Sequence, residues 1–234
     1  MTSTAHPTLT FTLPDGSTST TTVRRLLNAG YAGQDQAEVQ AHIRELAELG
    51  VPAPSTSPTL YPVSPYLAQQ TDIVYVQHST TSGEAEWALI IDDDGRQLLT
   101  VACDHTDRAL ETHGVAWSKN AAPDVLGTVA FPLDELPEDL STITLQAWVT
   151  HNGDSTPTLI QDSTAGALLS PSYWLDILHT RGEDTPGTIL VSGTVTMLDG
   201  VDQFADRWKV ELTVPGLGSA SVDYDVREMA TPID

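Results

Sequence analysis

The stretch SGEAEWALIIDDDGRQLLTVACDHTDR, residues 82–108, decides how this chain folds. Two largely apolar runs, 84–91 and 97–103, flank Asp92-Asp93-Asp94-Gly95. That composition predicts two strands joined by a hairpin turn. Glu84 and Glu86 stand two apart on the first strand, so they share a face. With residues 92–96 as the loop, Ile91 pairs with Gln97, and counting back puts Glu84 opposite Asp104. Three carboxylates then converge where a strand enters the core. A one-residue slip would send Asp104 to the other face, so the register decides the site. Three oxygen ligands with no compensating base suit a hard cation, Mg2+, Mn2+ or Ca2+, whereas Zn2+ would prefer His or Cys. The plainer reading of Glu84 and Glu86 is a solvated strand end.

Working outward toward the N-terminus, residues 8–13 and 18–27 read as strands around a Pro14-Asp15-Gly16-Ser17 turn. Val39, Ile43 and Leu46 recur at helical spacing, which predicts a helix over 34–49, stopped by Gly50 and Pro52. Residues 51–65 hold five prolines, too many for a central strand. They mark a boundary between an N-terminal hairpin and helix portion, 1–53, packed as part of the fold, and a larger domain, 54–234. Toward the C-terminus, a short helix is expected at 106–114 and strands at 126–131, 142–150 and 158–161. Ser170-Pro171 reads as a helix start running to Leu178. Strands follow at 188–195, 207–214 and 219–226. The sum is a strand-rich α+β chain with few, short helices.

Thirty-two acidic residues against ten basic ones give a net charge of −22 over 234 residues. Such a chain repels a phosphate backbone and an anionic membrane surface, which excludes nucleic acid and membrane as partners. Charged residues are only 18%, so the acidity reflects a shortage of bases. The single cysteine, Cys103, forbids an intrachain disulfide, and the N-terminus lacks the pattern of a signal peptide. A cytoplasmic protein is the expectation.

Lys119 is one of two lysines in the chain and sits among small and apolar residues. There it could neutralise an anionic substrate or an enolate; the alternative is a surface lysine lying along apolar neighbours. The run Thr188-Ile-Leu-Val-Ser-Gly-Thr194 ends an apolar strand in residues that offer N–H and hydroxyl donors to an anion, or form an ordinary turn. Cys103 beside His105 reads as a small buried residue rather than a thiol nucleophile.

Taken in order, these pieces resemble the fumarylacetoacetate hydrolase superfamily. The matching text is Glu84-Ala-Glu86, then Asp104-His-Thr-Asp-Arg108, then Trp117-Ser-Lys119, then Pro186-Gly-Thr-Ile-Leu-Val-Ser-Gly-Thr194. Over its whole length the chain looks like a branch of unknown function in that superfamily. The resemblance implies a rolled mixed β-sandwich, usually a homodimer, with Mg2+ or Mn2+ held by carboxylates. By carry-over Glu84, Glu86 and Asp104 are the metal ligands. Lys119 would orient water or hold substrate charge, and Gly193 and Thr194 would bind the carboxylate of a small anionic substrate. The implied activity is a hydrolase or lyase acting on an acylpyruvate-like oxo acid through a metal-stabilised enolate. An isomerase or hydratase on the same site, or a non-catalytic metal-dependent binding protein, are the alternatives. The chain departs from the pattern in reading Gly-Thr-Val for Gly-Thr-Pro and Asp107-Arg108 for Arg-Asp. The His–Glu pair with which hydrolytic members activate water has no counterpart in the quoted motifs.

Overall fold

In the computed structural model, which describes residues 6–35, 37, 39–41, 43–44, 56–231 and 233, the 84–104 stretch folds as an antiparallel pair. Strand Ala85–Ile91 pairs with Gln97–Asp104 in the register counted from the loop, Ile91 with Gln97 and Ala85 with Cys103. The Asp104 N–H donates to the Glu84 carbonyl at 3.1 Å, which extends the match by one residue. The Asp92 carboxylate holds the turn together by accepting from the Asp94 and Arg96 N–H groups at 3.0 and 2.8 Å.

This hairpin lies inside an eight-stranded mixed sheet. Its order is Thr59–Val63, Arg25–Gly30, Thr188–Val191, Ala85–Ile91, Gln97–Asp104, Asp124–Leu126, Ala68–Gln69, with Phe131–Pro132 also pairing with Gln97–Asp104. A second, five-stranded sheet runs Thr158–Thr164, Thr144–Thr150, Arg207–Val214, Gly218–Glu228, Ile73–Val76. Burial separates the two. Every residue of Ala85–Ile91 is buried, whereas burial alternates along Arg207–Val214. The larger sheet is therefore covered on both faces and the smaller on one. One face of the larger sheet meets the smaller sheet through Trp87, Leu89 and Val101 against Leu145, Trp208 and Leu212. Its other face, with Ala88, Ile90, Ala102 and Val191, packs on Leu9 and Phe11 of the hairpin Thr8–Thr12/Thr18–Thr22.

The larger sheet is rolled. Asn28 on Arg25–Gly30 and Asp124 on Asp124–Leu126 are four places apart in strand order, about 19 Å in a flat sheet. Yet the Asn28 amide donates to Asp124 Oδ1 at 3.1 Å. The face carrying Ala88 and Ile90 is thus the inside of the roll, and the carboxylates sit at one end of that interior. The fold is a rolled, strand-rich mixed β-sandwich with few helices.

Local departures from the sequence reading have physical causes. The run 18–27 breaks at Val23-Arg24, because the Arg24 and Arg25 N–H groups both turn to the Gly187 carbonyl, at 2.9 and 3.1 Å. Thr18–Thr22 stays in the outer hairpin, while Arg25–Gly30 becomes an internal strand parallel to Thr188–Val191. The expected helix at 106–114 starts at Arg108 and gives way at Gly114 to a second turn, Val115–Ser118. The expected strand at 126–131 is two short ones, split at Gly127, where a Cβ would meet Val101 Cγ1 at 2.8 Å. Proline-rich 51–65 contains the strand Thr59–Val63, which tolerates Pro62 at the sheet edge. Of the expected helix over 34–49, residues 37, 39–41 and 43–44 are helical and the rest of that reading lies largely outside the described residues. No helix among the described residues is long and apolar enough to cross a membrane.

Candidate metal centre

Glu84, Glu86 and Asp104 come together: one carboxylate oxygen from each lies within 4.8 Å of the others. Alternation along the hairpin puts all three on the inner face of the roll. Glu86 and Asp104 are fully buried, and Glu84 is 9% exposed. Glu86 Oε2 accepts from the Gly193 N–H, while its Oε1 has no hydrogen-bond partner among the described residues. Gly193 is at φ +82°, and a Cβ there would meet the Ala29 carbonyl at 2.9 Å. Only glycine can bring that N–H to Glu86 without strain.

The basic residues arrive from the segment after the second strand. The Asp107 carboxylate caps the short helix Arg108–Glu111 by accepting from the Leu110 N–H at 3.0 Å. Arg108 then reaches back to Glu84 Oε1 at 2.9 Å, to Ser82 Oγ at 2.7 Å and to Glu111 at 3.1 Å. Lys119, at the end of Val115–Ser118, is buried, pairs with Asp104 Oδ2 and lies 3.5 Å from Glu84 Oε2. It is no surface lysine.

Thr194 lies close by, with its hydroxyl engaged inside the protein. It donates to the Ala85 carbonyl at 3.0 Å and accepts from the Gln161 amide at 2.9 Å. Gln161 Oε1 in turn accepts from the Ala85 N–H at 2.9 Å, so the two side chains pin the strand that carries Glu86.

The sequence reading missed two residues. Asp124 pairs with Asp104 across the neighbouring ladder and is 1% exposed. Asn28, fully buried, holds Asp124 Oδ1. Asp124 Oδ2, Asn28 Oδ1 and Asp104 Oδ1 have no hydrogen-bond partner among the described residues. The signal for Asp124 was weak, a lone acid before two apolar residues; for Asn28 it was a polar residue inside an apolar strand.

Four buried carboxylates face one buried ammonium, Lys119, and one partly buried guanidinium, Arg108, which also pairs with Glu111, so negative charge is in excess here. Burial works to raise the Glu84 pKa, but the Arg108 guanidinium and the Lys119 ammonium outweigh it and hold it at about 2. Glu86 and Asp124 are pushed well above the usual carboxylate range by burial, with neighbouring carboxylates adding to the effect. Asp104 is also raised, by burial and by Glu84, against the pull of Lys119. Burial works against the Lys119 ammonium, yet Asp104, Glu84 and Glu86 keep its pKa well above the ordinary value. The cluster thus retains positive charge from whatever source offers it. Its orphaned oxygens and uncompensated charge fit a divalent cation with Glu84, Glu86 and Asp104 as holders.

Strand alternation turns Cys103 and His105 away from Asp104. His105 bonds the Tyr224 hydroxyl at 2.9 Å and the Thr81 hydroxyl at 3.0 Å, and Cys103 Sγ lies 3.1 Å from Tyr224. Burial and the nearby Arg108 charge lower the His105 pKa to about 3, and burial pushes the Cys103 thiol up. Neither is poised as a nucleophile–base pair.

Comparison with known proteins agrees with this fold. A family model described as "Protein of unknown function (DUF2848)" matches residues 29–224. No curated protein matches the sequence. Among solved structures, 2-keto-3-deoxy-D-arabinonate dehydratase complexed with magnesium and 2,5-dioxopentanoate is similar at TM-score 0.60 and 18% identity, over 88% of this chain and 74% of that one. The 5-carboxymethyl-2-hydroxymuconate delta-isomerase from Mycobacterium smegmatis gives TM-score 0.57 and 19% identity, over 89% and 80%. Fumarylacetoacetate hydrolase from psychrophilic Exiguobacterium antarcticum gives 0.59 and 17%, over 88% and 76%. The chain therefore belongs to the DUF2848 family of proteins of unknown function, a branch with the fumarylacetoacetate hydrolase fold.

Proposed function

We propose that this chain is a divalent-metal-dependent hydrolase or lyase acting on a small, acylpyruvate-like oxo acid. The observation that carries the reading is the convergence of three buried carboxylates beside a buried ammonium, with orphaned oxygens on Glu86 and Asp104. Glu84, Glu86 and Asp104 hold Mg2+ or Mn2+, with Ca2+ as a substitute. The cation, when bound, supplies Lewis acidity toward the paired oxygens of an oxo acid. Arg108 keeps Glu84 ionised, and the Gly193 N–H fixes which oxygen of Glu86 faces the cation. Lys119 holds an ammonium where negative charge develops on the substrate; Gly193 and Thr194 stay the proposed contacts of its carboxylate, although in this structure the Gly193 N–H is given to Glu86 and the Thr194 hydroxyl to the Ala85 carbonyl. A homodimer in the cytoplasm is part of the same proposal.

A second reading, isomerase or hydratase, has its own support. His105, the histidine next to Asp104, is turned away to Tyr224 and Thr81, so it does not serve to activate water at this site. An isomerisation needs proton transfer without an activated water, whereas a hydratase on this site would need a group other than His105 to activate one. A dehydratase and an isomerase are among the proteins that share the fold.

The test is to incubate the protein with acylpyruvates, 2-keto-3-deoxy sugar acids and unsaturated oxo acids, with Mg2+, Mn2+ or EDTA, and to follow products by NMR. Metal-dependent turnover of an oxo acid is expected, and the product tells hydrolysis from elimination or isomerisation. Thermal stabilisation by an oxo acid without turnover would point instead to a binding protein.

Lys119→Ala gives a separate outcome. The ammonium competes with the cation for Asp104 and Glu84. The variant is expected to bind Mg2+ at least as tightly as wild type by calorimetry. Its turnover should fall about 100-fold or more, the usual cost of removing a charge-stabilising group. Loss of metal binding in step with turnover would make Lys119 structural.

A further inference from the structure

We propose that Asp124 is a fourth carboxylate of the cation site, acting on the ion directly or through one of the ion's own waters, and that Asn28 sets its orientation. This rests on the metal reading above and extends it to two residues outside the recognised motifs. Asp124 lies opposite Asp104 in the ladder, so its side chain shares the inner face of the roll. It is 1% exposed, and the Asn28 amide fixes its Oδ1 at 3.1 Å, leaving Oδ2 without a partner. A buried carboxylate oxygen with no donor costs stability unless something cationic meets it.

Asn28 supplies the independent observation. The Asn28 amide nitrogen is the atom that faces Asp124, donating to its Oδ1 at 3.1 Å. That leaves the amide oxygen, fully buried on the same inner face, with no donor either. These two orphaned oxygens come from strands four places apart, on side chains that share the inner face with Asp104 and Glu86, while among the described residues the group within 4.8 Å of one another is Glu84, Glu86 and Asp104 alone. A latch that only closed the roll would gain from an apolar or fully bonded pair. This one leaves acceptors unsatisfied, as a site that awaits a cation or its waters does.

Mn2+ titration of full-length wild type, Asp124→Asn, Asp104→Asn and Asn28→Ala by calorimetry tests the idea. Asp124→Asn keeps the side-chain shape and is expected to weaken Mn2+ binding about tenfold or more. Asn28→Ala should weaken it less, by a few fold to tenfold. Mn2+ affinity unchanged in Asp124→Asn but lost in Asp104→Asn would overturn this inference and leave the three-carboxylate site standing. Wild type that binds no Mn2+, or Asp104→Asn that binds as wild type does, would overturn both. An anomalous-difference map of Mn2+-soaked wild-type crystals needs no variant. Asp124 is expected within about 5 Å of the ion, the reach of one coordinated water. An ion farther away than that would sink the proposal even if the substituted proteins failed to fold.

Discussion

Glu86→Gln is expected to lose about 100-fold or more in Mg2+ and Mn2+ affinity while its metal-free form melts at or above the wild-type temperature. Both halves follow from one environment. Glu86 is fully buried, receives a single backbone N–H, from Gly193, and faces other carboxylates. In the metal-free protein its charge is a liability that burial and Asp104 and Glu84 compound. Glutamine keeps an oxygen for the Gly193 N–H and turns an amide donor toward Asp104 and Glu84, so it relieves repulsion and fills an orphan position. The same change removes one anionic ligand from the cation, and a 100-fold loss corresponds to roughly 2.7 kcal/mol. Calorimetric titration and differential scanning of EDTA-treated protein measure the two halves. A variant that binds metal as wild type does would remove Glu86 from the ligand set. One that melts well below wild type without metal would mean that the carboxylate serves the fold.

The contrast between those halves explains why so much of this centre could be read from residues alone. Local features fix its first three members. A five-residue loop sets the register, period-two alternation sets the face, and Lys119 stands out among small and apolar residues in a chain with two lysines. What stayed hidden depends on curvature. Asn28 and Asp124 are 96 residues apart and meet because the sheet rolls. No periodicity in a three-residue strand such as Asp124–Leu126 announces a shared face. Arg108 was visible in the motif, but its role as the counter-ion that keeps Glu84 ionised needed the fold-back of the helix after Asp107. The break at Val23-Arg24 was masked because both halves are strands, and only pairing with the carbonyl of Gly187 separates them. Most of the 32 acids reveal nothing of this kind; the three that do are marked by standing where strands enter a core.

In EDTA the melting temperature is expected to fall as pH rises from about 5 toward 8, and added Mg2+ or Mn2+ should raise it more at pH 8 than at pH 5. Glu86, Asp124 and Asp104 all have raised pKa values in the folded protein, chiefly through burial. Between its ordinary and its raised pKa such a group keeps a proton when folded and loses it when unfolded. Stability therefore drops with rising pH across that interval, by at most about 1.4 kcal/mol per pH unit for each group that keeps its proton, Glu86 and Asp124 foremost. For a chain of this size that is about 2–4 °C per kcal/mol. Glu84 has the opposite sign, since its folded pKa is depressed to about 2; its contribution is complete above the ordinary carboxylate range and does not change between pH 5 and 8. Lys119, raised from an already high value, is constant over the same range. His105 opposes the trend below its ordinary 6.5, because it stays neutral in the fold down to about 3, so the steepest fall should appear above pH 6.5. The cation must displace the retained protons, so it binds more weakly as pH falls and its stabilising increment shrinks. An increment equal at pH 5 and pH 8 would mean that the ion is held by groups other than these buried carboxylates. Glu86→Gln should lower the slope in EDTA and shrink the increment, which ties both effects to the same oxygen atoms.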